Sequence, residues 1–156
     1  MIGSIRTFIS SLVEDSGRRN QFENKVRLAA AALLVRVATV DSEMSEAKRE
    51  RLRGILKSGF GLDDLTTAQL IDDAIAAERS AIDLYRFTRQ INDALDEEGR
   101  RRIVKMMWEA IYVEGSVNGF EANIIWRTAD LLGVSARQRI EIRQQIAAGT
   151  SLLAPG

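Results

Sequence analysis

The chain holds a single proline, and it stands at Pro155, one residue from the end of the sequence. Proline lacks a backbone donor and clashes with the preceding turn, so it is the strongest interrupter of a helix. Everything before it is free to run as long helices. The residues filling that space are strong helix formers, with Ala, Leu, Glu, Gln and Arg dominant. No stretch alternates apolar and polar residues between Gly and Asn pairs, as a half-buried strand would. The expectation is an all-α fold.

At 156 residues the chain has the length of one ordinary domain. It contains no cysteine and no histidine. That excludes disulfides, sulfur- and imidazole-based zinc sites, cysteine nucleophiles and any His-based proton relay. Its 22 basic and 22 acidic side chains cancel, so no global field draws it to nucleic acid or an anionic membrane. The longest apolar run, Leu28 to Val35, is far short of a membrane span. The start does not read as a signal peptide, because charges and serines interrupt it. The expected location is the cytoplasm, with no integral membrane segment and no nucleic-acid partner.

Capping pairs mark where helices begin. A short polar side chain accepts from a free N–H three residues on, and a Glu or Gln there reaches back. Thr66 with Gln69, Asn118 with Glu121, and Ser135 with Gln138 have that spacing, and Ser45 is a further N-cap candidate. Gly59, Gly61 and Gly133 stand where helices should stop. Helices are expected near 3–14, 21–40, 46–58, 67–77, 80–94, 97–113, 119–132 and 136–148. In the long second helix, Val26, Ala29, Leu33, Val37 and Val40 are expected to form the buried side. Short connections suit a single-domain antiparallel helical bundle of about seven to eight helices. Residues 1–20 are expected as an N-terminal amphipathic helix and linker, 21–148 as the helical domain, and 149–156 as a loose tail.

Shifting the sequence by 73 residues superposes two helix–turn–helix units. Leu33, Leu34, Val35, Val37, Ala38, Val40 and Met44 fall on Met106, Met107, Trp108, Ala110, Ile111, Val113 and Val117. Asp41 falls on Glu114, Ser45 on Asn118, and Leu52 on Ile125. Only Val40 and Val113 are identical among these pairs, so what repeats is a pattern of residue classes.

The stretch Leu28 to Ser45, LAAAALLVRVATVDSEMS, resembles the first half of the bacterial tellurite-resistance TerB family. Met107 to Glu121, MWEAIYVEGSVNGFE, resembles its second half. Asp83 to Arg89 and Ala129 to Ser135 are similar to the same group, so the likeness covers about residues 25–145. The resemblance implies a compact helical bundle linked to tellurite resistance and stress. A related domain occurs in membrane-anchored DnaJ-type co-chaperones, although this sequence lacks the histidine that a J-domain needs. The family pattern also implies Asp-Gly at each turn, a glutamate seven residues beyond the Asp, and divalent metal at these acidic turns. The second unit keeps Glu114, Gly115 and Glu121; the first departs, with Asp41 followed by Ser42 and with Lys48 at the seventh position.

Two readings of the turns stand. In one, Asp41, Glu43, Glu114 and Glu121 form a weak calcium or magnesium site, since hard cations take oxygen ligands. In the other, Asn118 and Glu121 are a capping box, and Asp41 and Glu114 merely end helices. Neither turn is an EF-hand, which needs a twelve-residue loop. The basic runs Arg49, Arg51 and Arg53, and Arg100 to Arg102 with Lys105, read as solvated faces. Trp108, Trp126, Tyr112, Tyr85 and Phe87 read mostly as packing, with one of Tyr85 and Phe87 partly exposed because they stand two apart. The segment Ile2, Ile5, Phe8, Ile9 and Leu12 is an apolar stripe that could cover the bundle, pair with a second chain in a homodimer or touch a membrane surface. With Arg6 its only charge before Glu14, docking on the bundle or a partner protein is favoured. No catalytic constellation survives: Asp63-Asp64, Asp72-Asp73 and Glu97-Glu98 are adjacent pairs that diverge on a helix, and Gly59-Phe60-Gly61 lacks the lysine of a phosphate loop. The sequence therefore points to a non-enzymatic, TerB-like stress-response domain with no cofactor beyond a weak Ca²⁺ or Mg²⁺. The competing reading is a protein-interaction or co-chaperone-like module with no metal site, its partner unidentified.

Overall fold

A computed structural model of the chain describes residues 23–81, 83–112 and 119–153. The expected helix at 3–14 and its apolar stripe lie outside these residues. The described residues are helical throughout, with short connections and no strand. In chain order the helices are α1 (residues 23–38), α2 (Glu46–Phe60), α3 (Asp64–Ser80), α4 (Tyr85–Ala94), α5 (Glu97–Ile111), α6 (Gly119–Leu131) and α7 (Ala136–Leu153). No helix among the described residues is long and apolar enough to cross a membrane.

The local rules place most ends. Ser45 accepts from the Lys48 amide at 3.1 Å to start α2. Ser135 and Gln138 form the expected reciprocal box, with bonds of 3.2 and 3.0 Å. Gly61 and Gly133 take left-handed conformations, φ 63° and 71°, and end α2 and α6. Four expectations fail. Helix α7 runs on to Leu153 rather than ending near 148. Helix α3 begins three residues before 67, because Asp63 rather than Thr66 is its cap, accepting from the Thr66 amide at 2.7 Å. Gly59 does not stop α2; it lies inside that helix, where an added Cβ would stand 2.9 Å from Met106 Cε on α5. Helix α4 begins at Tyr85 instead of near 80, after Asp83 accepts from the Tyr85 amide at 3.0 Å and holds the chain in a turn.

Helix α1 is the centre of the molecule. Residues 29–35 are buried one after another, none more than 2% exposed, and Val37 and Ala38 follow them inside. The one-sided stripe expected from Val26, Ala29, Leu33, Val37 and Val40 understates this: α1 is covered all round, and Val40, beyond its end, is 36% exposed. Around it, α2 packs on α3 and α5, α5 on α6 and α7, and α4 on α6. One apolar cluster joins α1 to Leu52 and Leu56, Ile71, Phe87 and Ile91, Met107 and Trp108, Ile125 and Ile142. Three threonines buried in the helices, Thr67, Thr88 and Thr128, return their hydroxyls to backbone carbonyls of the preceding turn.

The 73-residue shift also superposes burial. Leu33, Leu34, Val35, Ala38 and Leu52 are buried, and so are Met106, Met107, Trp108, Ile111 and Ile125. Helices α1 and α2 thus repeat the inward-facing pattern of α5 and α6.

Candidate functional site

After α1 the chain turns through residues 39–45 before α2 begins. Asp41 stands in this turn, with its Oδ1 3.8 Å from the Lys48 ammonium and 3.4 Å from the Ser42 hydroxyl. Lys48 also donates to that hydroxyl. Its position is set by the Ser45 cap, which places residue 48 in the first turn of α2 facing back over the loop.

From the other unit, Glu121 in the first turn of α6 reaches the same corner. Its carboxyl is pushed above the ordinary value of 4.5, first by burial and then by the negative charge of Asp41, with Lys48 pulling the other way. Asp41 thus holds the ion pair with Lys48, and Glu121 lies close enough to feel the charge of both. Lys48 and Glu121 are themselves equivalents under the 73-residue shift, so the corner joins matching positions of the two units with opposite charge.

The other candidates divide. Glu43 is not gathered with Asp41 and Glu121 as a third ligand; it lines a groove with Ser42, Glu78 and Arg79. Glu114 and Asn118 lie outside the described residues. Among the described residues, no three acidic groups gather round one point as ligands would. A hard divalent ion wants six or more oxygens. Lys48 now takes part of that role: the corner as it stands fits one ammonium, and a metal ion would compete with it.

The basic runs lie at the surface, with Arg51, Arg102 and Lys105 exposed, yet several of their side chains are engaged. Arg51 donates to the Glu109 carbonyl at 3.0 Å and to the Tyr112 carbonyl, closing the end of α5. Arg102 donates to the Gly59 carbonyl at 3.1 Å, near the end of α2. Arg49 pairs with Asp72 at 2.7 Å. The adjacent acidic pairs serve helix starts and surface ion pairs: Asp64 binds Lys57 at 2.6 Å, and Glu97 and Glu98 fill the first turn of α5. Among the aromatics, Trp108 and Phe87 are buried, while Tyr85 is exposed, as the two-residue spacing requires.

Trp126 departs from the packing role expected of it. It is 49% exposed and, with Ile140 and Trp108, lines a groove between α5, α6 and α7 that sequence reading missed. The available signal was the stripe of Ile125, Ala129 and Leu132, which leaves Trp126 a full 100° round the helix.

The family model described as Tellurite resistance protein TerB matches residues 27–144. No curated protein and no solved structure matches the chain.

Proposed function

From its membership of the TerB family, to which this chain belongs, we propose a non-enzymatic stress-response domain that works by binding. The same reading keeps it in the cytoplasm. Its acidic corner takes a hard divalent cation of the Ca²⁺ or Mg²⁺ kind weakly, in competition with Lys48. Asp41 and Glu121 would supply carboxylate oxygens, with Glu114 the sequence equivalent of Asp41. The observation that supports this reading is the raised carboxyl of Glu121, held up in part by Asp41. Two carboxylates that disfavour each other's charge are relieved by a cation between them.

Calorimetric titration with CaCl₂ and MgCl₂ tests the proposal on the wild type and on Lys48→Glu, which places an acid where the family pattern has one. The wild type should bind only in the millimolar range, and K48E at least about tenfold tighter, with a rise in Tm on adding the ion. Absence of heat and of any Tm change in both proteins would sink it. The second reading, a protein-binding or co-chaperone-like module without metal, draws support from the Lys48 ammonium already beside Asp41.

A further inference from the structure

The groove formed by α5, α6 and α7 has a volume of about 300 Å³ and lies apart from the acidic corner. Trp108 is its floor, only 1% exposed, and Trp126 and Ile140 are its walls, 49% and 58% exposed. Arg143 lies over the Trp108 ring at 5.3 Å from its centroid, and Arg139 lies alongside.

The polar side-chain groups lining this groove are all donors. Trp108 Nε1 is buried without a hydrogen-bond partner, and so is Arg139 Nε. An indole N–H and a guanidinium have no acceptor capacity. Arg139 spends its two remaining nitrogens on the Trp126 carbonyl at 3.2 Å and the Asp130 carboxylate at 3.0 Å, so those acceptors are already engaged. Arg143 has no carboxylate within ion-pair distance among the described residues. Buried donors without partners are costly, and an exposed indole beside them is a typical anchor of protein recognition.

We propose that this groove is a docking site for a peptide segment of a partner protein that carries a carboxylate next to a bulky apolar residue. The apolar side chain lies between Trp126 and Ile140 on the Trp108 face. The carboxylate meets Arg143 and supplies the acceptor that the groove lacks. Charge complementarity selects this occupant: a basic peptide would set like charge against Arg143, and a purely apolar one would leave Arg143 without a carboxylate partner. The inference names the surface for the protein-binding reading, and it holds or fails independently of the metal titration.

Selection from a random-peptide display library on the full chain tests it, followed by titration of the enriched peptides using the fluorescence of Trp108 and Trp126. The enriched sequences should pair Asp or Glu with Leu, Ile, Phe or Trp. Trp126→Ala and Arg143→Gln, both on exposed side chains, should each weaken binding by about tenfold or more while leaving the Tm near that of the wild type. Binding should also weaken as salt rises. Neutral or basic enriched peptides, no enrichment, or unchanged affinity in the two variants would overturn the proposal. Self-association in sedimentation that Trp126→Ala abolishes would give the groove to a second copy instead, and would equally overturn it.

Discussion

Glu121 is the residue where charge and stability are most directly linked. Its carboxyl titrates above 4.5 in the folded chain because it is partly buried and faces Asp41. The folded state therefore holds that proton more firmly than the unfolded chain does. Ionising it costs stability, in full above the raised folded value and not at all below the ordinary one. Glu121→Gln should melt higher than the wild type at pH 7, with the two melting curves converging as the pH falls below about 4.5. A difference that persisted unchanged into acid would show that packing, not charge, sets it. Two glycines give opposite expectations. Gly54 lies exposed inside α2 with open space where a Cβ would go, so Gly54→Ala should add about 0.5–1 kcal/mol in urea unfolding. Gly61 holds φ 63° at the end of the same helix, and Gly61→Ala should remove about 1 kcal/mol or more.

At the scale of the helix, start signals were largely legible in the sequence because they are local. A cap is satisfied by a residue three positions away, so Ser45 and the Ser135–Gln138 box could be read directly. Ser135→Ala should cost about 1 kcal/mol, measured by chemical denaturation, and much of that loss should vanish in a Gln138→Ala background because the two bonds are reciprocal. The Thr66–Gln69 spacing misled because Asp63, three residues earlier, offers a stronger acceptor to the same turn. Helix ends were legible only where glycine marks them. Elsewhere they are completed from a distance: Arg51 closes α5, Arg102 reaches the last turn of α2, and Asn92 donates to the Leu131 carbonyl of α6 at 2.8 Å. Those bonds span 39 to 61 residues of sequence, and no local pattern encodes them. The same distance explains the candidate site. Asp41 and Glu121 could each be picked out by position in a turn, but the approach of Glu121 to the Asp41–Lys48 pair depends on how the two units pack.

For the molecule as a whole, α1 decides what substitutions the core will accept. Its run of alanines, Ala29 to Ala32, is at most 1% exposed, which leaves no room for larger side chains. Ala31→Leu should cost about 1–3 kcal/mol by overpacking, although leucine is itself an excellent helix former. A stability equal to the wild type in thermal melts would show that the interior around α1 can yield. The order of the chain adds a further consequence. Translation delivers α1 before every other helix of its core, yet the apolar cluster that receives it runs on to Ile146. While the ribosome is still making α2 to α7, this segment is a greasy rod with nowhere to go. Final collapse should therefore await the last helix, and a chain truncated before α7 should expose apolar surface rather than fold as a smaller domain.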